Sequence, residues 1–131
     1  LTIYRPTEDA MYLVPVTVKM KLKDNPPKAA LAAMIADDHK QKYPILPKGL
    51  SVNTVEVKDG IATVDFSKEL LNMDKSTTTE ELFTAMTVNT LTEFPDIKEV
   101  KFLMNGKAIT HLSGHSDMTR TFKRMNDIIK K

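Results

Sequence analysis

The densest group of chemically capable residues lies in one short run, "THLSGHSD", which carries His111, Ser113, His115 and Asp117. These are the residue types of a serine hydrolase: a nucleophile, a base, and an acid that orients the base. Triad members ordinarily come from separate parts of a fold, and that separation fixes their geometry. Alternate residues of one loop point apart instead, and no G-x-S-x-G turn precedes a helix to expose the serine. His111 and His115 stand four apart, the spacing that clamps a metal when both lie on one helix face. Gly114 and the strand-like residues before it argue against such a helix, and no glutamate sits beside the first histidine. His39 and Asp117 would complete a metal site only through an unspecified tertiary approach. The plainer expectation is that His111 ends a strand opposite Val100, while His115 helps fold a loop.

The rest of the inventory is sparser. Carboxylates are adjacent at Asp37–Asp38 and Glu80–Glu81, both on expected helices, where neighbours point about 100° apart. That suits a solvated face better than shared acid–base work. The eight methionines fall mainly on core stripes, and four glycines leave no glycine-rich phosphate loop. Cysteine is absent, which removes thiolate nucleophiles and thiolate-bound metals. No enzyme activity is expected, and no catalytic residue, cofactor or metal.

A chain of 131 residues is long enough for one domain with its own core. Hydrophobic residues at 41% and charged residues at 27% exclude disorder over the whole length. The net charge of +2 comes from lysines spread along the chain, so no nucleic-acid partner is expected. Only the closing "FKRMNDIIKK" gathers basic residues, with Lys123, Arg124, Lys130 and Lys131, and it reads as a solvated terminus. No apolar run reaches the roughly 20 residues of a membrane span. The opening "LTIYRPTEDA" has no initiator methionine or signal-type segment, so it reads as trimmed, with any targeting segment removed.

The elements that must position these side chains can be read from periodicity. Tyr12, Val14, Val16, Val18, Met20 and Leu22 alternate with Pro15, Thr17, Lys19 and Lys21, a strand with one wet face. Pro15 donates nothing to a ladder and places that strand at an edge. In "KDNPPKAALAAMIADDHKQ", Asp24 or Asn25 caps a helix, Pro26 suits its first position, and Ala30, Leu31, Met34 and Ile35 form its buried stripe. "VEVKDGIATVDF" folds on an Asp59-Gly60 turn of type I′, setting Val57 opposite Ala62, Val55 opposite Val64 and Asn53 opposite Phe66. Its other face carries Thr54, Glu56, Lys58, Thr63 and Asp65. A second helix, capped by Thr78 or Thr79, buries Leu82, Phe83, Met86, Leu91 and Phe94 before Pro95. A second hairpin turns at Asn105-Gly106, with Val100, Phe102, Met104 and Ile109 on one face. The order strand, helix, hairpin, helix, hairpin predicts an α+β fold: a small mixed sheet with two helices on one face. The segment after it reads as a polar excursion with a short terminal helix.

The runs "LPKGLSVNTVEVKDGIATVDFSKELL" and "TVNTLTEFPDIKEVKFLMNGKAITHLSGHSD" resemble the GerMN, or sporulation and spore germination, domain family. The resemblance runs from about Val14 to about Phe122, and "VDFS", "NTLTEFP" and "VKFLMNGK" are its most specific parts. It divides the chain into an N-terminal arm (1–11), a GerMN-like domain (12–122) and a C-terminal tail (123–131). It implies a fold like the ring-building motifs, which associate side by side, helix layer against a neighbour's sheet. It also implies an extracytoplasmic place at the cell envelope of Gram-positive bacteria, with a lipid anchor in the full-length form as the link to the membrane. The family brings no established catalytic residues. The charged loop "ADDHKQKYPIL" and the single domain copy depart from its pattern.

Two functions follow as expectations. The first is a non-enzymatic binding or assembly module, with protein partners or self-association through the wet hairpin face of Thr54, Glu56, Thr63 and Asp65. The second is a ligand-binding domain for cell-wall glycan or peptide, with the "HLSGHSD" loop as the rim of its site.

Overall fold

A computed structural model describes residues 1–19, 25–110, 112 and 117–130. Strands β1 (Thr2–Pro6) and β2 (Leu13–Thr17) form an antiparallel hairpin of their own. Helix α1 (Pro26–His39) follows, then β3 (Val52–Lys58), β4 (Ile61–Phe66), a short 3₁₀ turn, and helix α2 (Thr77–Leu91). Strands β5 (Glu99–Met104), β6 (Lys107–Ala108) and β7 (Phe122–Lys123) and a terminal 3₁₀ turn (Asn126–Ile128) complete the chain. The main sheet runs β3-β4-β5, with β6 and β7 sharing the far side of β5. It is mixed: β4 and β5 are parallel, joined through α2, and the other pairs are antiparallel. The expected α+β class, a mixed sheet with two helices, is what the chain forms.

Local chemistry accounts for the element boundaries. Asn25 caps α1, its side chain accepting the Lys28 N–H at 3.2 Å, and Pro26 opens the helix where its missing N–H costs nothing. Both hairpin turns hold positive φ at their two central residues, Asp59 and Gly60 at 52° and 81°, Asn105 and Gly106 at 49° and 76°. That left-handed pair matches strand twist, as the type I′ assignment requires. The register holds at Val57↔Ala62 and Val55↔Val64 but slips at a bulge, so that Val52, rather than Asn53, faces Phe66. The extra residue, Asn53, turns its side-chain amide onto the Phe66 carbonyl at 3.4 Å. Helix α2 is capped by Ser76, not by Thr78 or Thr79: the Ser76 hydroxyl accepts the Thr79 N–H at 3.1 Å.

The first eleven residues are not a loose arm. Ile3 and Tyr4 on β1 are buried, and the hairpin packs on both helices. Tyr4 lies opposite Pro15, and its N–H donates to Thr90 Oγ1 of α2 at 3.2 Å, so the ladder asks no hydrogen bond of the proline. On β2 the wholly buried side chain is Leu13 rather than Tyr12, while Val14, Val16 and Val18 are half-buried. The ends of the expected strand, Met20 and Leu22, lie outside the described residues. Val100, expected opposite His111, pairs instead with Phe122 of β7.

The core sits between the sheet and the helices. Phe102 on β5 stacks near Phe66 (6.2 Å between ring centroids) and meets Phe83 of α2 (5.6 Å) and Phe122 of β7 (5.5 Å) at steeper angles. Helix α2, touched by β1, β2, β5 and α1, is buried at every position from Leu82 to Leu91. Some of its polar residues serve as ties. Asn89, fully buried, accepts the Met125 N–H at 2.9 Å and donates to the Met125 carbonyl at 3.0 Å, binding the last segment to the helix as a strand partner would. Arg124 donates to Tyr4 Oη (2.6 Å), Glu93 Oε2 (2.7 Å) and the Asn89 carbonyl (3.2 Å), so the described part of the C-terminal segment, residues 123–130, is anchored rather than a solvated tail. Burial, then the bond to Glu93, raises the Tyr4 hydroxyl above its ordinary range.

Both adjacent acid pairs depart from the solvated reading. Asp37 holds Arg5 of β1 through two bonds of 2.7 and 2.9 Å, pinning the hairpin to α1. Asp38 is only 1% exposed and accepts the backbone N–H groups of Ile45 (3.2 Å) and Leu46 (2.9 Å). The charged loop after α1 is thus folded back by the helix itself. Glu80 is also 1% exposed, in the first turn of α2, and neither carboxylate oxygen has a partner among the described residues. The helix dipole favours negative charge at that end. Glu81 alone of the four faces solvent freely.

Two stability predictions follow from these ties. Replacing Asn89 with Ala leaves two part-buried backbone groups of Met125 unpaired and is expected to cost about 2 kcal/mol in urea unfolding. Limited proteolysis should then cut within 123–131 in the variant well before the parent. Replacing Asp38 with Ala strands two amide protons and is expected to cost a similar amount, roughly 1–3 kcal/mol. Burial raises the Asp38 carboxyl above the usual carboxylate range, against the pull of the two N–H groups. In that window the folded state holds more protons than the unfolded one, so this group's contribution falls as pH rises from the ordinary carboxylate pKa through the folded one. Asp38→Asn should abolish that component, seen as a flatter fall, or a steeper rise, of unfolding free energy over the same pH window.

Candidate interaction face

The outer face of the sheet is built from rows that cross three strands. Registers place Thr54 beside Asp65 and Leu103, Glu56 beside Thr63 and Lys101, and Lys58 beside Ile61 and Glu99. These residues alternate with the buried Val55, Ala62, Val64, Val100 and Phe102, because side chains of a strand point to opposite faces in turn. Thr54 and Glu56 are exposed; Thr63 and Asp65, on a central strand, are half-covered by their neighbours. The four residues read from the sequence as a surface therefore share one face. They are not equivalent. Asp65 Oδ1 accepts the Gly106 N–H at 2.8 Å and so closes the β5–β6 turn, while Glu99 Oε1 accepts Thr121 Oγ1 at 2.7 Å and steadies the approach to β7. Glu56, Lys58 and Lys101 make no side-chain hydrogen bond or ion pair among the described residues, and with Thr54 they form the free part of the face.

Strand β3 is the edge of this sheet. The two-residue turn closes on the pair Lys58 and Ile61, so the backbone groups of Val55 and Val57 turn away from β4. One of them, the Val55 carbonyl, accepts Asn25 Nδ2 at 3.1 Å, and the helix cap thereby also covers part of the edge. The bulge at Asn53 and the charges of Glu56 and Lys58 protect the rest against indiscriminate strand pairing.

The chemically capable loop is only partly visible. His111, Ser113 and His115 lie outside the described residues. Asp117 accepts the Thr119 N–H at 2.9 Å and the Thr119 hydroxyl at 2.5 Å, and those bonds hold its carboxyl below the usual range. His39 points Nε2 at the carbonyls of Leu46 (3.2 Å) and Pro47 (3.1 Å). Carbonyls only accept, so that nitrogen carries the proton and ties down the same loop that Asp38 holds. His39 and Asp117 are thus both occupied locally. No cluster of metal-binding side chains occurs among the described residues.

Comparison with known proteins places the chain. The family model for sporulation and spore germination (Germane) matches residues 2–110. The chain belongs to that family. The spore germination protein GerM of Bacillus subtilis strain 168 is 34% identical over 122 residues, an alignment covering 82% of this chain and 32% of that protein. The chain thus spans about a third of its curated relative. Among solved structures, the first GerMN domain of Bacillus subtilis GerM superposes with a TM-score of 0.73 at 23% identity, covering 97% of this chain and 98% of that one. A Clostridium perfringens protein provisionally described as a lipoprotein superposes with a TM-score of 0.63 at 25% identity, over 94% of this chain and 85% of that one. The family match begins at residue 2, in keeping with β1 as an integral strand of the fold.

Sequence reasoning missed the residues that line a cleft between α2 and the last segment: Glu81, Thr84, Arg120, Phe122, Met125 and Ile128. The available signal was the spacing of Phe122, Met125 and Ile128, one apolar residue in three within an otherwise polar run.

The sheet face generates a test that separates its structural acid from its free one. Asp65→Ala should lower thermal stability measurably, by about 1 kcal/mol for one lost bond, and speed amide exchange at Gly106. Glu56→Ala should stay within about 0.5 kcal/mol of the parent.

Proposed function

We propose that this chain is a non-enzymatic binding and assembly module of a cell-envelope protein, serving sporulation or spore germination in a Gram-positive bacterium. Family membership across residues 2–110 is the observation that carries this reading, since the relative it matches is a spore germination protein. The Clostridium perfringens neighbour, described as a lipoprotein, supports a place at the envelope with a lipid anchor supplied by the full-length protein. Among the described residues no helix is long and apolar enough to cross a membrane. His39, Asp38 and Asp117 are each used to fold their own loops.

The partner in this reading is a protein, and a second copy of the chain is the simplest one. Because the hairpin β1–β2 packs over the helices and α2 is buried, α1 is the helix that keeps a solvent face. Ala32 and Ala36 are exposed there, with Ala29 and Ala33 half-buried beside them and Lys28 and Lys40 at the two ends. Alanines let another surface come close. The outer sheet face of a neighbour, with Thr54 and Glu56 free and lysines flanked by acids, offers such a surface of mixed charge. A contact between two different faces is head-to-tail, and it closes a ring or extends a filament according to its rotation.

Light scattering from micromolar to millimolar protein is expected to show mass rising with concentration, and Glu56→Lys or Ala36→Asp should each suppress the rise. Mixing Ala36→Cys with Thr63→Cys chains should give oxidised dimers, while neither variant alone should. A strict monomer throughout, with no cross-linked dimer in the mixture, would remove self-association from this reading.

A further inference from the structure

The cleft between α2 and the C-terminal segment encloses about 290 Å³. Its floor is apolar, made by Phe122 of β7, Met125 and Ile128, and its rim carries Glu81 and Thr84 of α2 and Arg120. Two charges of opposite sign thus line one small concavity, yet no ion pair joins them: the pairs among the described residues are Arg5–Asp37 and Arg124–Glu93. Glu81 has no hydrogen-bond partner among the described residues. Arg120 lies with its guanidinium 4.0 Å above the Phe122 ring, and one of its N–H groups donates to the Thr121 carbonyl at 3.3 Å. The stacking fixes the plane of the fork while leaving most of its five N–H donors open. Asp117, the acid that feels Arg120, is already taken by Thr119.

The cleft is also held firmly. Asn89 clamps the backbone of Met125 from both sides, and Phe122 is paired into the sheet through Val100. A concavity with an apolar floor and a few fixed polar groups is the usual form of a small-ligand site, and this volume sits at the small end of the range.

We propose that this cleft binds an amino acid or short peptide with both termini free. Arg120 takes the carboxylate in its fork, Glu81 takes the ammonium, and an apolar side chain rests on Met125 and Ile128. A ligand of one sign alone would leave the other rim charge facing it unpaired, and a purely apolar ligand would desolvate both. The zwitterion satisfies both together. This site goes beyond assembly through the sheet face and shares no residue with it.

The test uses the folded chain, labelled with ¹⁵N, and the dipeptide alanyl-leucine as probe. Titration into the millimolar range is expected to give saturable shifts of the Thr84, Phe122 and Met125 amides and of Arg120 Nε–H. Acetylating the amine or amidating the carboxylate should weaken binding about tenfold each, the loss typical of one charge-assisted contact. Glu81→Gln should then bind the parent and the acetylated dipeptide alike, and Arg120→Gln the parent and the amidated one alike. Both residues are exposed, and unchanged thermal unfolding of the variants confirms that they stay folded. Absence of saturable shifts with the free dipeptide, or shifts indifferent to end-blocking, would overturn the assignment. Concentration-dependent light scattering reads the sheet face and is unaffected by either result.

Discussion

The fold depends on one unusual demand: helix α2 must be buried nearly whole although its sequence, TTTEELFTAMTVNTL, is rich in polar residues. A helix buried on all sides is ordinarily apolar all round. Here the threonines and the asparagine are small enough to pack, and Thr84, Asn89 and Thr90 are made to bind, while Thr87 Oγ1 is buried without a partner among the described residues. Thr84 returns its hydroxyl to the Glu80 carbonyl one turn back, at 2.9 Å. Thr90 receives β1, and Asn89 receives the last segment. The apolar residues of the same helix, Phe83 above all, meet the phenylalanines of β4 and β5. One helix therefore joins the sheet, the N-terminal hairpin and the C-terminal segment, and the polar atoms decide where each attaches. Apolar area supplies the driving force, but it is non-directional; hydrogen bonds at fixed points set the register.

This explains which parts of the fold were legible in the residues. Both hairpin turns were, because Asp-Gly and Asn-Gly supply the positive φ that a type I′ turn needs, and the alternation around Asp59-Gly60 fixed the strands on either side. The α1 stripe and its cap were legible for the same reason: each signal lies within a few residues of what it determines. The burial of Thr84, Thr87, Asn89 and Thr90 was not, since threonine and asparagine at helical spacing read as solvent-facing until a second layer covers them. That layer is the C-terminal segment over Asn89 and, over Thr90, the β1–β2 hairpin, whose first strand carries only Ile3 and Tyr4 as core residues. A five-residue strand with two buried side chains leaves little periodicity to find. Arg124, too, reads as part of a basic tail until Glu93 and Tyr4, 31 and 120 residues away, come into view.

The candidate surfaces show the same division. Thr54, Glu56, Thr63 and Asp65 were placed on one face by alternation alone, and the ladder of β3 and β4 keeps them there. That Asp65 closes a turn could not be seen, because its partner at Gly106 belongs to another hairpin, brought alongside only by the parallel pairing of β4 and β5. The cleft was hidden for a stronger reason. Its two walls are a helix and a terminal segment that meet through side-chain–backbone bonds, an arrangement with no period.

The accounting of charge is the last step. Arg5, Asp37, Glu93 and Arg124 are tied in pairs that join elements distant in sequence, and Asp38, Asp65, Glu99 and Asp117 each hold a loop or turn. The two half-covered ion pairs do more for position than for stability, since exposed ion pairs contribute at most about 1 kcal/mol each. Unpaired charge is spread over the surface, and it includes Glu56, Lys58 and Lys101 on the sheet and Glu81 and Arg120 at the cleft. Both sets mix signs. A surface of that kind selects a partner by matching charge to charge at short range, and it gives a polyanion no field to follow. Among the described residues, most of the buried or paired acids and bases thus serve to hold loops, turns and segments in place.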